Sequence, residues 1–172
     1  MSNDDDDHVS RETSAGSGPA FPGKHGREEV LREILRHLGV EATITVETSG
    51  EPGVVWWRIA GDASGITIGR YGQTLDALEH ILNRVGNEDG APKIHLDSEG
   101  YRQRRAESLE DRARRIADDV RRTGRPHELP PMSPRDRRTV HLALKDDPDV
   151  ETRSEGQEPN RVLVVYPRTP GR

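Results

Sequence analysis

The chain has 172 residues, of which 30% are hydrophobic and 33% are charged, and its formal net charge is −5. This length allows one domain or two small ones, and the low apolar content predicts that part of the chain is disordered. The lack of cysteine excludes a disulfide framework and a thiolate metal site. No apolar run in the sequence approaches the roughly 18 residues of a membrane span, and the acidic start is unlike a signal peptide. We therefore expect a cytoplasmic protein without membrane insertion.

The charge is unevenly distributed along the chain. Residues 1–26 carry −3, residues 27–98 carry −5 and residues 99–172 carry +3. The positive potential that a nucleic acid needs is thus expected in the C-terminal part. Arginine supplies 23 of the 26 basic residues. Its side chain stacks on bases and forms bidentate hydrogen bonds with phosphate. An Arg-rich genome is an equally good explanation of that count.

The first part of the chain begins with an acidic tail. Residues 1–26 are rich in Asp, Ser, Gly and Pro, which predicts disorder. The pattern that follows predicts a helix, a hairpin of two strands, a short helix, a glycine loop, a second helix and a third strand. The helices and strands are expected at residues 27–38, 42–48, 54–60, 65–68, 73–85 and 93–97.

The second part is predicted to start with a long helix over residues 101–123, ended by Gly124. Nine arginines lie in or beside this helix, with five acidic residues between them. They form either a solvated face of ion pairs or a basic surface. A proline-rich connector comes next, then a helix that Ser133 can cap. The connector, that helix and two closing strands are expected at residues 125–131, 133–144, 150–154 and 161–166.

The most informative motif is the tetrapeptide Gly69-Arg70-Tyr71-Gly72. Glycine lets the backbone approach a ligand closely, and the amides at the start of the following helix favour an anion. Arg70 adds a positive charge, so the pattern predicts a phosphate-binding loop. The alternative is a turn between two helices that simply requires two glycines.

A second constellation lies in the helix that follows Ser133. Arg137 and His141 are four residues apart, so they share a helical face on which one phosphate can accept from both. Arg153, with its neighbour Thr152, and Arg161 are expected to extend this basic surface. The alternatives are surface or core packing for His141, and for Arg137 a salt bridge to Asp136 or Asp147.

These motifs together resemble a known family. The run from Arg137 to Leu144 resembles the signature of the Arg-x-x-x-His domain, and residues 152–161 are similar to its closing segment. The glycine loop with the following helix start, residues 73–78, resembles a KH domain. Over about residues 27–168, with Tyr101-Arg102 between the two modules, the chain resembles the bacterial Jag family, also called the SpoIIIJ-associated or KhpB family.

The resemblance implies an α+β fold of two small domains. These are a KH domain of prokaryotic topology over residues 27–98, in the order helix-strand-strand-helix-helix-strand, and an Arg-x-x-x-His domain over residues 99–168. It implies non-enzymatic binding of single-stranded RNA, or of single-stranded DNA, and post-transcriptional roles in envelope growth and division. The expected protein partner is a small KH-only protein or a second copy of the chain, and no cofactor or metal is expected. The implied RNA-contacting residues are Gly69, Arg70, Tyr71, Gly72, Gln73, Thr74, Ile66, Ile68, Arg137, His141, Arg153 and Arg161.

Two other functions are considered beside RNA binding, and the chain differs from many family members at two places. The chain is alternatively an adaptor that acts mainly through a KH-only partner, whereas a nuclease is disfavoured because no spaced metal-ligand or nucleophile set is present. Many family members carry a basic residue where Tyr71 stands, although tyrosine can stack on a base. Many also begin with a separate domain where this chain has its acidic tail. A groove walled by Ile66, Ile68 and Leu75 is expected to receive unstacked bases.

Overall fold

The structure is a computed structural model that describes residues 26–61, 64–85 and 90–168. The predicted disordered tail lies outside the described residues, except for Gly26. The α+β class expected from the sequence is confirmed. The first half contains α1 Arg27–His37, β1 Thr43–Thr48, β2 Val54–Ala60, α2 Ser64–Ile68, a single 3-10 turn Arg70–Gly72, α3 Gln73–Arg84 and β3 Lys93–Ser98.

The three strands of the first half form one sheet in the order β1-β2-β3. The hairpin strands β1 and β2 are antiparallel, whereas β2 and β3 are parallel. Parallel neighbours need a crossover, which α2, the 3-10 turn and α3 provide. The glycine loop therefore lies within this crossover, between two helices, and the predicted element order is confirmed.

The core of this half lies between the sheet and two helices. Its buried side chains are Leu31, Leu35, Val40, Val55, Trp57, Ile59, Leu75, Leu78, Leu82, Ile94 and Leu96. Leu38 and Ile81, which follow the apolar periods of the two helices, remain 42% and 40% exposed. Leucines three and four residues apart already fill the narrow stripe of each helix that meets the sheet.

The second half contains α4 Tyr101–Thr123, β4 His127–Glu128, α5 Pro134–Leu144, β5 Val150–Glu155 and β6 Val162–Pro167. Its sheet has the order β4-β6-β5 with antiparallel pairs. The two strand residues of β4 lie in the connector that we expected to be merely extended, since two residues are too few to show a strand period. The apolar stripe of α4 packs against α5 and the sheet. The buried side chains of this second core are Leu109, Ala113, Ile116, Ala117, Val120, Leu129, Val140, Leu144, Val150, Leu163 and Val165.

Local signals set the ends of the helices in this half. Ser133 caps α5, because its side chain accepts a hydrogen bond from the Asp136 amide at 3.2 Å, and proline follows it at the first helical position. Gly124 ends α4 with φ 64°, a left-handed conformation that glycine adopts without steric cost. Both predicted signals are therefore found where the sequence indicated them.

The outer edge of β3 is closed by side chains. Asn83 bonds both backbone groups of Ile94, at 2.9 and 2.8 Å. Glu79 accepts from the Leu96 amide at 2.9 Å, and Arg102 donates to the Leu96 carbonyl at 2.6 Å. Since these backbone groups already have partners, this edge is poorly suited to pair with another strand.

The two halves meet where α4 begins. Tyr101 packs against the core of the first half. Arg102 donates to Asp76 at 2.7 Å and to Glu79 at 2.8 Å, and Arg135 of α5 donates to the other Glu79 oxygen at 2.8 Å. Glu79 thus joins the crossover of the first half to two elements of the second, and we call this contact region the junction.

Candidate nucleic-acid interface

The glycine loop has left-handed backbone at three of its four residues. The φ angles are 70° at Gly69, 54° at Tyr71 and 83° at Gly72. Positive φ is ordinary for glycine but uncommon for a residue with a Cβ, and Tyr71 therefore adopts it at an energetic cost. The surrounding contacts must hold Tyr71 in this position.

Intramolecular packing explains why both outer positions are glycine. A Cβ on Gly69 would lie 2.1 Å from Oγ1 of Thr74, and one on Gly72 would lie 2.9 Å from Cε1 of Tyr101. The sequence suggested that glycine serves the approach of a ligand. The structure adds that glycine is required by the fold itself, at the first turn of α3 and at the junction.

Arg70 and Tyr71 both point into solvent. The Tyr71 ring is 51% exposed, and the guanidinium carbons of Arg70 and Arg105 lie 5.4 and 5.0 Å from its centroid. Within the described residues, Arg70 forms no ion pair with a carboxylate, so its charge is available to a ligand. No side chain caps α3 at Gly72, and the amides of Gly72 and Gln73 donate to the carbonyls of Gly69 and Arg70. The positive end of the α3 dipole still lies at this loop and favours an anion.

The remaining predicted loop residues differ in accessibility. Gln73 is exposed, Thr74 and Ile68 are half-buried, and Ile66 is 50% exposed. Leu75 is fully buried. The expectation that Leu75 walls an open groove is therefore wrong, because the α3 stripe turns it into the core.

Arg137 is held inside the second domain. Its side chain is only 8% exposed, and it donates to the Met132 carbonyl at 2.8 Å and to Glu158 at 2.5 Å. It thereby ties the connector before α5 to the turn between β5 and β6. The salt bridge foreseen for Arg137 exists, but its partner is Glu158 instead of Asp136 or Asp147.

His141 lies on the surface of α5, where its Nδ1 is 2.6 Å from Oγ1 of Thr152 in β5. This contact orients the ring and leaves the other ring nitrogen, Nε2, without a hydrogen bond among the described residues. Arg138, three residues before it, is exposed and has no ion pair in the described part of the chain. Residues three apart are neighbours on a helix, so Arg138 adds a free cation beside His141.

Arg153 and Arg161 do not extend this face in the way the sequence suggested. Neighbouring strand residues point to opposite sides of a sheet, so Arg153 lies on the side away from Thr152. There it pairs with Glu151 at 2.5 Å and lies 5.2 Å from the ring centroid of Tyr166. Arg161 is half-buried, and its Nε is buried without a hydrogen-bond partner in the structure.

The arginines of α4 have several kinds of partner. Arg114 and Arg122 form exposed ion pairs with acidic residues three or four positions away, as a solvated face does. Arg121 pairs in addition with Asp147 and Asp149, which follow α5. Arg102 and Arg105 instead turn toward the junction, where Arg105 donates to Asp136 at 2.8 Å. Sequence reasoning did not propose Tyr101, Arg105 or Trp56 as site residues, although Tyr101-Arg102 belonged to the motif that carried the resemblance.

Burial raises the pKa of the Tyr101 phenol above its ordinary value. Its hydroxyl is therefore protonated at neutral pH and can donate a hydrogen bond. No helix among the described residues is long and apolar enough to cross a membrane. In that same part of the chain, no group of three or more His, Cys, Asp or Glu side chains is arranged to hold a metal ion.

Comparison with known proteins assigns both halves. Residues 28–97 match the family model of the KhpA/KhpB KH domain, and residues 107–167 match that of the R-three-H domain, which is the Arg-x-x-x-His module. The chain belongs to the KhpB family. The resemblance inferred from the glycine loop and the Arg-x-x-x-His signature is thereby confirmed.

Relatives from three bacteria are each named RNA-binding protein KhpB. The identity is 39% over 139 residues in Clostridium symbiosum, 32% over 139 residues in Lactiplantibacillus plantarum and 32% over 141 residues in Bacillus subtilis. The alignments cover 80%, 80% and 78% of this chain. They span 63%, 42% and 66% of the three relatives, so the chain corresponds to only part of their length.

Proposed function

We propose that this chain is a non-enzymatic protein that binds single-stranded RNA, with the glycine loop as its main contact. One observation carries the proposal. Arg70 is exposed and unpaired in the described structure, beside two left-handed glycines and at the uncapped start of α3. Such a loop offers a phosphodiester the positive end of a helix dipole and a free positive charge, and a KH loop of this kind clamps about four nucleotides.

The second contact is the exposed face of α5. Arg138 and the Nε2 atom of His141 face solvent, whereas Arg137 is engaged by Glu158. We propose that Arg138 and His141 approach the RNA directly and that Arg137 contributes when Glu158 releases it. Glu158 is 53% exposed, so it can exchange its arginine for water and leave Arg137 to a phosphate.

Arg153 and Arg161 have secondary roles in this proposal. Arg153 lies on the opposite side of the sheet, where it would contact only an RNA that wraps around the domain. Arg161 follows the turn that contains Glu158, so we place it at the margin of the α5 face. Gln73, Thr74, Ile66 and Ile68 support the glycine loop, with Ile66 offering the most exposed apolar surface among them.

The cellular role is part of the same proposal. The relatives named above are called RNA-binding proteins, and the order of the two domains is shared with them. We infer that the chain acts in the cytoplasm in post-transcriptional control connected with envelope growth and division. Two linked contact surfaces raise avidity through effective concentration, without requiring strong binding by either one.

The test is binding of mixed-sequence single-stranded RNA, measured by fluorescence anisotropy at several salt concentrations. Arg70→Glu is compared with Arg84→Glu, which reverses an exposed charge at the far end of α3, the helix that follows the loop. A lost charge-assisted contact costs about 1.5–3 kcal/mol, roughly tenfold to a hundredfold in affinity. We expect that loss, with a shallower salt dependence, for Arg70→Glu alone. Wild-type affinity in Arg70→Glu would contradict the loop as the main contact.

A second candidate function is that of a protein-interaction adaptor. The net charge of −5 over residues 27–98 is a poor electrostatic match for RNA, and β1 forms an edge of its sheet with Val46 44% exposed. A small KH-only protein or a second copy of the chain would then be the main ligand. Isothermal titration with such a partner, in the presence and absence of RNA, distinguishes the two functions.

A further inference from the structure

A cavity lies at the junction, immediately behind the glycine loop. Its volume is about 210 Å³, below the roughly 300–1,000 Å³ of pockets for drug-sized ligands. Both domains wall it, with Trp56, Tyr71 and Asp76 on one side and Arg105, Asp136 and Thr139 on the other. Its size fits a single ring system better than a whole nucleotide.

The walls of the cavity present aromatic faces. Tyr71 and Gly72 belong both to the loop and to the cavity wall, so a strand held by the loop has this space directly beside it. Arg105, which also lines the cavity, lies 5.0 Å from the centroid of the Tyr71 ring. A pre-positioned aromatic ring in contact with solvent is a suitable platform for an unstacked base.

Polar atoms without partners also line the cavity. The Tyr101 hydroxyl has no hydrogen bond among the described residues, and like any phenol at neutral pH it is protonated and can donate. Arg105 contacts only the Oδ2 atom of Asp136, so Oδ1 is left as an acceptor within the described part of the structure. A nucleobase edge carries both donors and acceptors, which complement a hydroxyl and a carboxylate oxygen.

We propose that this junction cavity binds one nucleobase of the RNA whose backbone the glycine loop holds. The base stacks on Tyr71 and turns its polar edge toward Tyr101 and Asp136. This inference rests on the proposed function and deepens it, because it makes base recognition a property of the two docked domains together. A base bound here also stabilises the docked arrangement, since its site has walls in both.

The experiment uses the full chain and an RNA of about six nucleotides, since a KH loop clamps about four. Each position is replaced in turn by an abasic nucleotide. Ala106→Phe fills the cavity without removing a charge, because Ala106 lines it. Ser108→Phe places the same side chain at an exposed position of the same helix and serves as the control.

With the wild type, we expect one abasic position to weaken binding roughly tenfold, because a stacked base contributes ~1–3 kcal/mol. Ala106→Phe should bind the intact RNA about as weakly and should no longer distinguish that position. Ser108→Phe should behave as the wild type. Circular dichroism and thermal melting establish that each variant is folded.

Two results would overturn the inference while the proposed function stands. One is a folded Ala106→Phe variant that binds intact RNA like the wild type. The other is a wild-type abasic scan in which no position matters, which is decisive even if Ala106→Phe fails to fold. Lack of any RNA binding by the wild type would instead overturn the proposed function and this inference together.

Discussion

The glycine loop and the α5 face each place an arginine near a helix, but they hold it differently. Arg70 is exposed, lies 5.4 Å from the centroid of the neighbouring tyrosine ring and forms no ion pair among the described residues. Arg137 is almost buried and shares its charge with Glu158. A count of basic residues would rank the second domain as the stronger RNA-binding surface, since it carries the net positive charge. The geometry predicts instead that availability of the cation matters more than its number.

The largest expected effect comes from a substitution that disrupts the glycine loop and leaves the α5 face intact. In Gly69→Ala the new Cβ would lie 2.1 Å from Oγ1 of Thr74, and the alanine would have to keep a φ of 70°. Left-handed strain of about 1–3 kcal/mol and overpacking of about 1–3 kcal/mol together predict a loss of about 2–6 kcal/mol in unfolding free energy. Urea denaturation measures it. Gly50→Ala, at a position with open space, should lose far less, and equal losses would refute the steric argument.

The next prediction separates the structural role of one α5 arginine from the RNA-binding role of its neighbour. Arg137→Met keeps the apolar stem but removes the hydrogen bonds to Met132 and Glu158. We expect the unfolding free energy to fall by about 1–2 kcal/mol, because Glu158 can regain water. Arg138→Met should leave stability unchanged and weaken RNA binding. If Arg138→Met destabilises the protein as much as Arg137→Met, the assignment of the buried arginine is wrong.

A smaller effect tests whether Glu158 competes with phosphate. Glu158→Gln removes the charge that holds Arg137, and we expect RNA affinity to rise a few-fold, about 0.5–1 kcal/mol. Glu151→Gln is the matched control, because its arginine lies on the other side of the sheet. Anisotropy titrations at low salt compare the two. Unchanged or reduced affinity in Glu158→Gln would mean that Arg137 serves the fold alone.

The smallest effect concerns the support of the α5 face. Although burial opposes the shift, the amide of Asp149 and the guanidinium of Arg121 hold the pKa of Asp147 below its ordinary value. A lowered folded-state pKa gives stability above the unfolded value, about 3.9, that is lost as pH falls through the folded value. Asp147→Asn should therefore cost less than about 1 kcal/mol near pH 7, and this cost should shrink as the pH falls below about 3.9. Melting curves across that range check this, and a pH-independent difference would contradict the ion pair.

Local patterns predicted most of the fold. Glycines, the Ser133 cap and the apolar periods placed the helices and most strands within one or two residues, because these signals are carried by neighbours in sequence. β4 was missed because its two residues are defined only by their partners in β6. The burial of Arg137 also depends on a residue 21 positions away, and no short-range pattern indicates such a contact.

For the candidate site, the sequence indicated individual residues but not the cavity between the domains. Arg70, Tyr71 and His141 are exposed as their motifs suggested. The junction cavity was not foreseen, since it exists only where two separately recognisable domains dock. Tyr101 and Arg105 lie in a helix whose charge pattern equally suits a solvated face, so the sequence does not reveal which arginines turn inward.

The unbroken helix α4 sets the distance and the rotation between the two domains. Tyr101 packs on the first core and Leu109 on the second, with no loop between them to absorb a change in length. One inserted residue would rotate one domain against the other by ~100° and displace it by ~1.5 Å. Substitutions on the exposed side of this segment are therefore tolerable, whereas insertions and deletions are not. The number of residues between Tyr101 and Leu109 therefore sets the relative placement of the two domains.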